Sequence, residues 1–494
     1  MTASAGLVFL VLTQAFLFPA VSIPDTCTNY FAPQIIAFIN QSYYDSYRTV
    51  LSAEKVQWIF GFISSADSLG IIVGSLFLTC LLDSVGRKSS VFYVRNLLGL
   101  ISTAVLFGAV TANRWEVFLA GNFILGLANS LLPALSVYLT ECAPDKYRGV
   151  ATMVSAIGST PYCMLQAVTA MPWLLGSDTR WKFYFLLPIV PIGLHTALAP
   201  FFLESPKFLY INRRKRDQAE RAVRLYHGQN ADKDDLFEHY EAEGALGEAP
   251  QTVSWRCLLA TRHLRKPLLI SLVISFLPIY SGHVTSINYS NVILQSVGIS
   301  QSASMSVIIG VMSVSLIGSC CTALLLVDCM GRRPLLLFSC LLAVFNNTSI
   351  FLARLFTQND DGQTMIDDWV AVFVAASALC QVLNSVCGAT IVCDLVFSEI
   401  SPQAARARTL QICTIATSLA SYVLVTVFPP VYEKLGAYLF LLFALAPALA
   451  AVYLWKCLPE TKNRPVDEIV AVWSADRDER PLLNHSIDSR SSSS

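Results

Sequence analysis

Residues 81–90 read LLDSVGRKSS, and residues 326–335 read LVDCMGRRPL. Each closes an apolar run with an acid, then a glycine, then two basic residues: Asp83, Gly86, Arg87, Lys88 in the first, Asp328, Gly331, Arg332, Arg333 in the second. Two further pairs repeat in the same order. Glu141, Pro144 and Arg148 of ECAPDKYRG return as Glu399, Pro402 and Arg406 of EISPQAARAR, and Glu204 of LESPK returns as Glu460 of LPETK. Taken singly, an arginine pair after a helix fixes topology, and Glu-x-x-Pro is an ordinary helix exit. Three matched pairs, six motifs in one order, mean that a whole unit has been duplicated. Membrane proteins built from repeated units place their solute site between the halves, near the bilayer midplane.

The chain between the motifs is apolar enough to support that reading. Hydrophobic residues make up 54% and charged residues 14% of the 494, well below the charge of a soluble protein. A bilayer needs about 20 apolar residues per helix. Spans are expected near 6–24, 57–81, 90–111, 116–139, 150–174, 183–203, 267–292, 302–327, 334–355, 369–397, 407–430 and 436–457. The segment 204–266 carries Lys207, Arg213, Arg214, Lys215, Arg216, Arg221, Arg224, Arg262, Arg265 and Lys266. Lysine and arginine collect on the cytosolic side, so this segment, both termini and all six motifs face inward. The expected fold is an all-α membrane protein of twelve transmembrane helices. Its six-helix halves, 1–203 and 267–458, are joined by a cytosolic helical linker, 204–266, and followed by a cytosolic tail, 459–494.

The first 22 residues lack a basic leader and read as an uncleaved first helix. The 14 cysteines form no CxxC pair and no His/Cys metal spacing, so neither a metal nor a cofactor is expected. No phosphate loop or nucleophile elbow marks an enzyme. The partners expected are a small-molecule solute and the lipid bilayer, with no nucleic acid, and the chain reads as a functional monomer.

These motifs resemble the sugar-porter branch of the major facilitator superfamily, most closely the facilitative glucose and fructose transporters of animals. The likeness runs from APQ and NQS in residues 32–42, through FFLESPKFLYINRR, to VFPPVYEKLGAYLF and LPETK. It implies the major facilitator fold and transport by rocking alternating access. It also implies a cytosolic latch made of Asp83, Arg87, Glu141, Arg148, Glu204, Asp328, Arg332, Arg333, Glu399, Arg406 and Glu460. Several ion pairs acting together can bias a two-state equilibrium by a few kcal/mol, although one exposed pair contributes only about 0–1 kcal/mol. One departure weakens the latch: Asn122 stands where the family usually has an arginine on helix 4.

A second departure concerns cargo. The stretch LPIYSGHVTSINYS, residues 277–290, matches helix 7 of the family, where two adjacent glutamines and a later asparagine are usual. Here those positions hold Pro278, Ile279 and Val284; the amides of helices 5 and 8 fall at Ala156 and Leu316. The aromatic pocket position of helix 10 falls at Asp394, and Thr417 stands at the helix 11 asparagine. Amides suit sugar hydroxyls because they donate and accept together. Pocket candidates are therefore His283, Asp394, Ser281, Thr285, Thr417 and Asn288. His283 and Asp394 carry the functional reading, since intramembrane ionisable groups point to function. Helix packing and backbone bonding are the plain alternative for the serines, threonine and asparagine of helix 7.

Asp25 and Asp67 are candidate coupling acids, either for protons or as buried structural groups. The leading function is a transporter of a small sugar-like or related polar solute, with a proton-coupled symporter and a non-transporting nutrient sensor as alternatives. The short tail favours transport. Asn40, in an Asn-Gln-Ser acceptor of the first outer loop, is expected to be glycosylated. In the tail, Asp478 with Leu482 and Leu483 reads as an acidic dileucine signal for a clathrin adaptor. The expected address is the plasma membrane, with cycling through endosomes or lysosomes if that signal is used.

Overall fold

The computed structural model describes residues 4–78, 84–228, 233–234, 236–238, 240–241, 262–321, 331–357, 368–386, 396, 400 and 403–458. Asp83, Asp328, Asp394, Glu399, Glu460, Asp478, Leu482 and Leu483 lie outside these residues, as do the side chains of Ala156, Leu316 and Arg406.

The described chain is helical throughout. The first half consists of α1 (Ala5–Tyr30), α2 (Ala53–Phe77), α3 (Arg87–Thr111), α4 (Trp115–Cys142), α5 in two pieces (Asp145–Ile157 and Ser159–Thr169) and α6 (Trp181–Phe201). The second consists of α7 (Arg265–Ser296), α8 (Gln301–Cys321), α9 (Arg332–Phe356), α10 (Asp368–Val386), α11 (Gln403–Leu435) and α12 (Tyr438–Cys457). Among the described residues, nine are long and apolar enough to cross a bilayer, and α5, α8 and α10 complete the expected twelve. The linker is helical where described, at Pro206–Ile211 and Arg216–His227. It docks under the first half: Ser4 Oγ donates to the carbonyls of Leu225 and Tyr226 at 2.9 and 2.6 Å, and the Tyr226 hydroxyl lies 3.0 Å from that of Tyr138.

Among the spanning helices that depart from α geometry, α1 and α7 do so where they position the site. In α1, residues Phe18–Thr26 wind as a 3-10 helix containing Pro19 and Pro24. Proline supplies no N–H and crowds the preceding turn, which leaves local polar groups available for side chains. In α7, the helix stops at Ser275, makes one turn at Leu277–Tyr280, and restarts at His283. Pro278 ends the regular pattern, and Gly282 takes a φ of +81°, which L side chains rarely adopt.

Within the first half, α2 and α4 touch backbone to backbone. A Cβ on Gly126 would lie 1.9 Å from the Asp67 carbonyl oxygen, and one on Gly70 2.2 Å from that of Phe123. Small residues at such seams let helices approach and pack by dispersion, since lipid provides no hydrophobic drive between them. The two halves meet at the ends opposite the linker. Ser65 and Thr426 hydroxyls are 2.6 Å apart, Glu54 and Lys434 pair at 2.8 Å, and a Cβ on Gly61 would sit 2.3 Å from the Thr426 carbonyl oxygen. Between α1 and α7, Asn29 Nδ2 donates to the Ile287 carbonyl at 2.8 Å, and its Oδ1 accepts from the Asn291 N–H at 2.9 Å.

Asn40 is exposed, but the outer segment that bears it is a helix, Ala32–Tyr47, rather than an irregular loop.

Candidate functional site

Between the halves lies a cavity of about 320 Å³. Its floor and one wall come from the 3-10 end of α1 and from Cys163 of α5; the rest comes from α7, α8, α9 and α10. The restart of α7 at His283 turns His283, Ser286 and Ser290 into the cavity on one helical face. Apolar side chains dominate elsewhere, among them Ile287, Val311, Met312, Ile350 and Val374. A largely apolar cavity with a few convergent polar groups is the usual form of a small-molecule site.

Most of the polar groups on its wall already have partners. Thr26 Oγ1 donates to Gln166 Oε1 at 2.8 Å. Asn29 spends its amide on α7, including Ser290 Oγ at 2.9 Å, and Ser377 Oγ donates to Asn346 Oδ1 at 2.8 Å. Among the described residues, the imidazole of His283 and the hydroxyl of Ser286 have no side-chain hydrogen bond to protein.

The other described pocket candidates stand elsewhere. Ser281 is buried and its carbonyl accepts from Asn347 Nδ2 at 3.2 Å. Thr285 is buried with its hydroxyl unpartnered, outside the cavity wall. Asn288 bonds back to the Val284 carbonyl at 2.9 Å, and Thr417 to that of Cys413 at 2.8 Å. Ile279 faces an apolar crevice with Leu442 and Leu449, away from the cavity.

Next to the cavity, a charged cluster fills the interior of the first half. Asn129 Nδ2 of α4 donates to both oxygens of Asp25, each at 2.9 Å. The Oδ1 of Asn129 accepts from Ser22 Oγ at 3.0 Å and lies 3.5 Å from Arg95 Nη2. Arg95, on α3, is 0% exposed; it donates to the Phe18 carbonyl at 2.6 Å and lays its guanidinium 3.9 Å over the Phe18 ring. Asp67 lies within electrostatic reach of Asp25. Beyond Arg95, Asn96 lies 3.0 Å from His195 Nδ1, whose Nε2 lies 3.2 Å from Gln14 Oε1. Sequence reading selected Asp25 and Asp67 but missed Arg95 and His195. The signal was available: both are ionisable residues inside apolar spans.

The described motif residues of the first half cluster at the end where the linker docks. Arg87 Nε lies 3.2 Å from Glu141 Oε2 and covers the Phe208 ring at 4.6 Å. Glu204 accepts from the Lys88 N–H at 2.8 Å, and burial nevertheless holds its carboxyl above the ordinary range. Arg148 Nε donates to the Thr140 carbonyl at 3.0 Å. In the second half, Arg333 donates to the Trp455 carbonyl, and Arg332 is partly buried.

Two helical halves that meet at one end beside a cavity between them define a membrane transporter of the major facilitator type. The chain belongs to the family described as "Sugar (and other) transporter", whose profile matches residues 25–473. The facilitated glucose transporter protein 1 of Caenorhabditis elegans is 28% identical over 450 residues, covering 90% of this chain and 86% of that protein. The human solute carrier family 2, facilitated glucose transporter member 7, is 27% identical over 441 residues, covering 89% and 84%. Among solved structures, the inward open conformation of the xylose transporter XylE from E. coli matches with a TM-score of 0.69 at 20% identity, over 94% of this chain and 100% of that one.

Proposed function

We propose that this chain carries a small solute across the membrane by exposing the cavity alternately to either side, and that its cargo is a sugar-related or similar polar metabolite other than a hexose. Relatives named for glucose and xylose support the general class of cargo. The observation behind the narrower reading is that several polar groups on the wall, Thr26, Asn29, Ser290 and Ser377, already have protein partners. A hexose brings five hydroxyls, while beyond those four groups the cavity offers His283, Ser286, Ser315 and Gln381 against mainly apolar walls. Each hydroxyl buried without a partner costs about 1–3 kcal/mol. Two or three such losses, about 2–9 kcal/mol together, are of the size of the roughly 4 kcal/mol that holds a millimolar ligand. The cavity suits a solute with one hydrogen-bonding edge and a less polar body.

Radiotracer uptake into proteoliposomes tests this, with hexoses, polyols, urate, dehydroascorbate and organic ions as cargo. D-Glucose is expected to show no saturable uptake in the low millimolar range. Half-saturation there would overturn the reading.

Proton coupling is the second reading, supported by the Asp25, Asn129 and Arg95 cluster beside the cavity. An imposed proton gradient should then drive accumulation, and Asp25→Asn should retain exchange but lose accumulation. Uptake indifferent to the gradient would leave the cluster a structural role.

A further inference from the structure

The side-chain amide of Asn29, in the first half, is spent on the second. Asn29 is 2% exposed and stands on the helical turn Cys27–Tyr30, directly after the 3-10 segment of α1. Its Nδ2 donates to the Ile287 carbonyl at 2.8 Å and to Ser290 Oγ at 2.9 Å, and its Oδ1 accepts from the Asn291 N–H at 2.9 Å. Asn291, 0% exposed, donates in return from its Nδ2 to the Asn29 carbonyl at 3.4 Å. The amide nitrogen faces a carbonyl and the amide oxygen an N–H, so the partners fix which way the amide points.

Ile287 and Asn291 are four residues apart, so this C=O and this N–H are the two ends of one rung of the α7 ladder. The Asn29 amide, with one donor and one acceptor side by side, addresses both ends of that rung. Such a contact comes apart without loss to α7. Once Asn29 withdraws, the Ile287 carbonyl and the Asn291 N–H retain each other, and no backbone group is orphaned. The amide withdraws into the cavity, whose wall it shares with Ile287 and Ser290. A contact with satisfied groups in both arrangements is what a reversible two-state element requires. Tyr289, between Ile287 and Asn291, meets Phe60 of α2 with ring centroids 6.0 Å apart, next to Gly61 and the Ser65–Thr426 bond. The amide therefore belongs to the junction that joins the halves at the ends opposite the linker.

We propose that Asn29 is the positioning residue of this junction: its amide docks on the Ile287–Asn291 rung to hold those ends together, and leaves the rung when they part. The proposal rests on alternating exposure of the cavity. Without the amide, the balance between the two arrangements moves toward opening at this junction and closure beside the linker.

The test is hydrogen exchange, followed by mass spectrometry, on the full-length protein in lipid nanodiscs without cargo. Asn29→Leu removes the donor and the acceptor at nearly constant volume. Amides of 53–60 and 428–435, at the ends opposite the linker, are expected to exchange about tenfold faster than in wild type. Those of 145–152 and 403–410, at the linker end, are expected to exchange more slowly. Mere loss of packing would speed exchange at both ends, because a destabilised bundle opens everywhere. If Asn29→Leu does not fold, Asn29→Ala, which deletes the same bonds with a smaller side chain, must give the same opposed pattern. Any pattern without opposite signs at the two ends overturns the proposal. Uptake by the wild type judges the transport reading on its own, since the exchange experiment needs no cargo.

Discussion

Ser65 and Thr426, 361 positions apart in the chain, share a buried 2.6 Å hydrogen bond between hydroxyls where α2 meets α11. The contact exists because Gly61, one turn away, has no side chain to hold the helices apart. Gly61→Trp should therefore prevent closure of the outer ends and abolish net transport while leaving surface expression near normal. A cysteine placed at Ser290 should become reactive toward an impermeant thiol reagent in that background, and a silent cysteine there would disprove the assignment of this contact as the outer seal. Ser65→Ala is milder, costing about 1 kcal/mol of the closed state, or roughly a fivefold shift in population.

Arg95 and Asp25 should behave as one unit. Removing one member of a buried charge set leaves the other uncompensated, at a cost of about 3–5 kcal/mol. Arg95→Leu is expected to lower the melting temperature in detergent strongly. Asp25→Asn combined with Arg95→Leu should recover a large part of the loss. Additive destabilisation in the double variant would show that the two charges do not interact.

The arrangement of spans was legible in the sequence because it depends on local quantities: length, hydropathy and the position of basic residues. The break in α7 could be read from Pro278 and Gly282 for the same reason. What a polar residue faces was not legible. Thr417 and Asn288 sit on the expected helices yet bond their own backbones, because the rotation of each helix is set by packing against its neighbours. The missing arginine at Asn122 was visible, and Asn122 Nδ2 in fact bonds the Ile63 carbonyl at 3.2 Å. That a guanidinium from α3 stands beside Asn129 instead is a fact about three helices at once, which no single-segment pattern carries.

Asn40 is exposed, while Ser42 of the same acceptor is buried and holds the Asn113 carbonyl at 2.8 Å. Glycan addition must then precede docking of this helix onto the bundle. Protein made in eukaryotic cells should shift in mobility on glycosidase treatment, and Asn40→Gln should abolish the shift. An unshifted wild type would contradict the outer placement of the helix or the use of the site.

The tail prediction is independent of the fold. Replacing Leu482 and Leu483 with alanine should increase the surface fraction in animal cells severalfold by surface biotinylation, if an adaptor reads the pair beyond Asp478. An unchanged distribution leaves the plasma membrane as the address.

The restart of α7 at Gly282 makes its outer part a separate rod of 14 residues, about 21 Å long at 1.5 Å per residue. One long side of this rod, at Ser286 and Ser290, lines the cavity; another, at Tyr289 and Val292, lines a second pocket walled by α2 and α11. Pivoting about the glycine, a tilt of about 10° moves the far tip by nearly 4 Å while the near end scarcely moves. A single rigid stick thus serves two rooms, and anything that wedges it from one side is felt as a change of shape in the other.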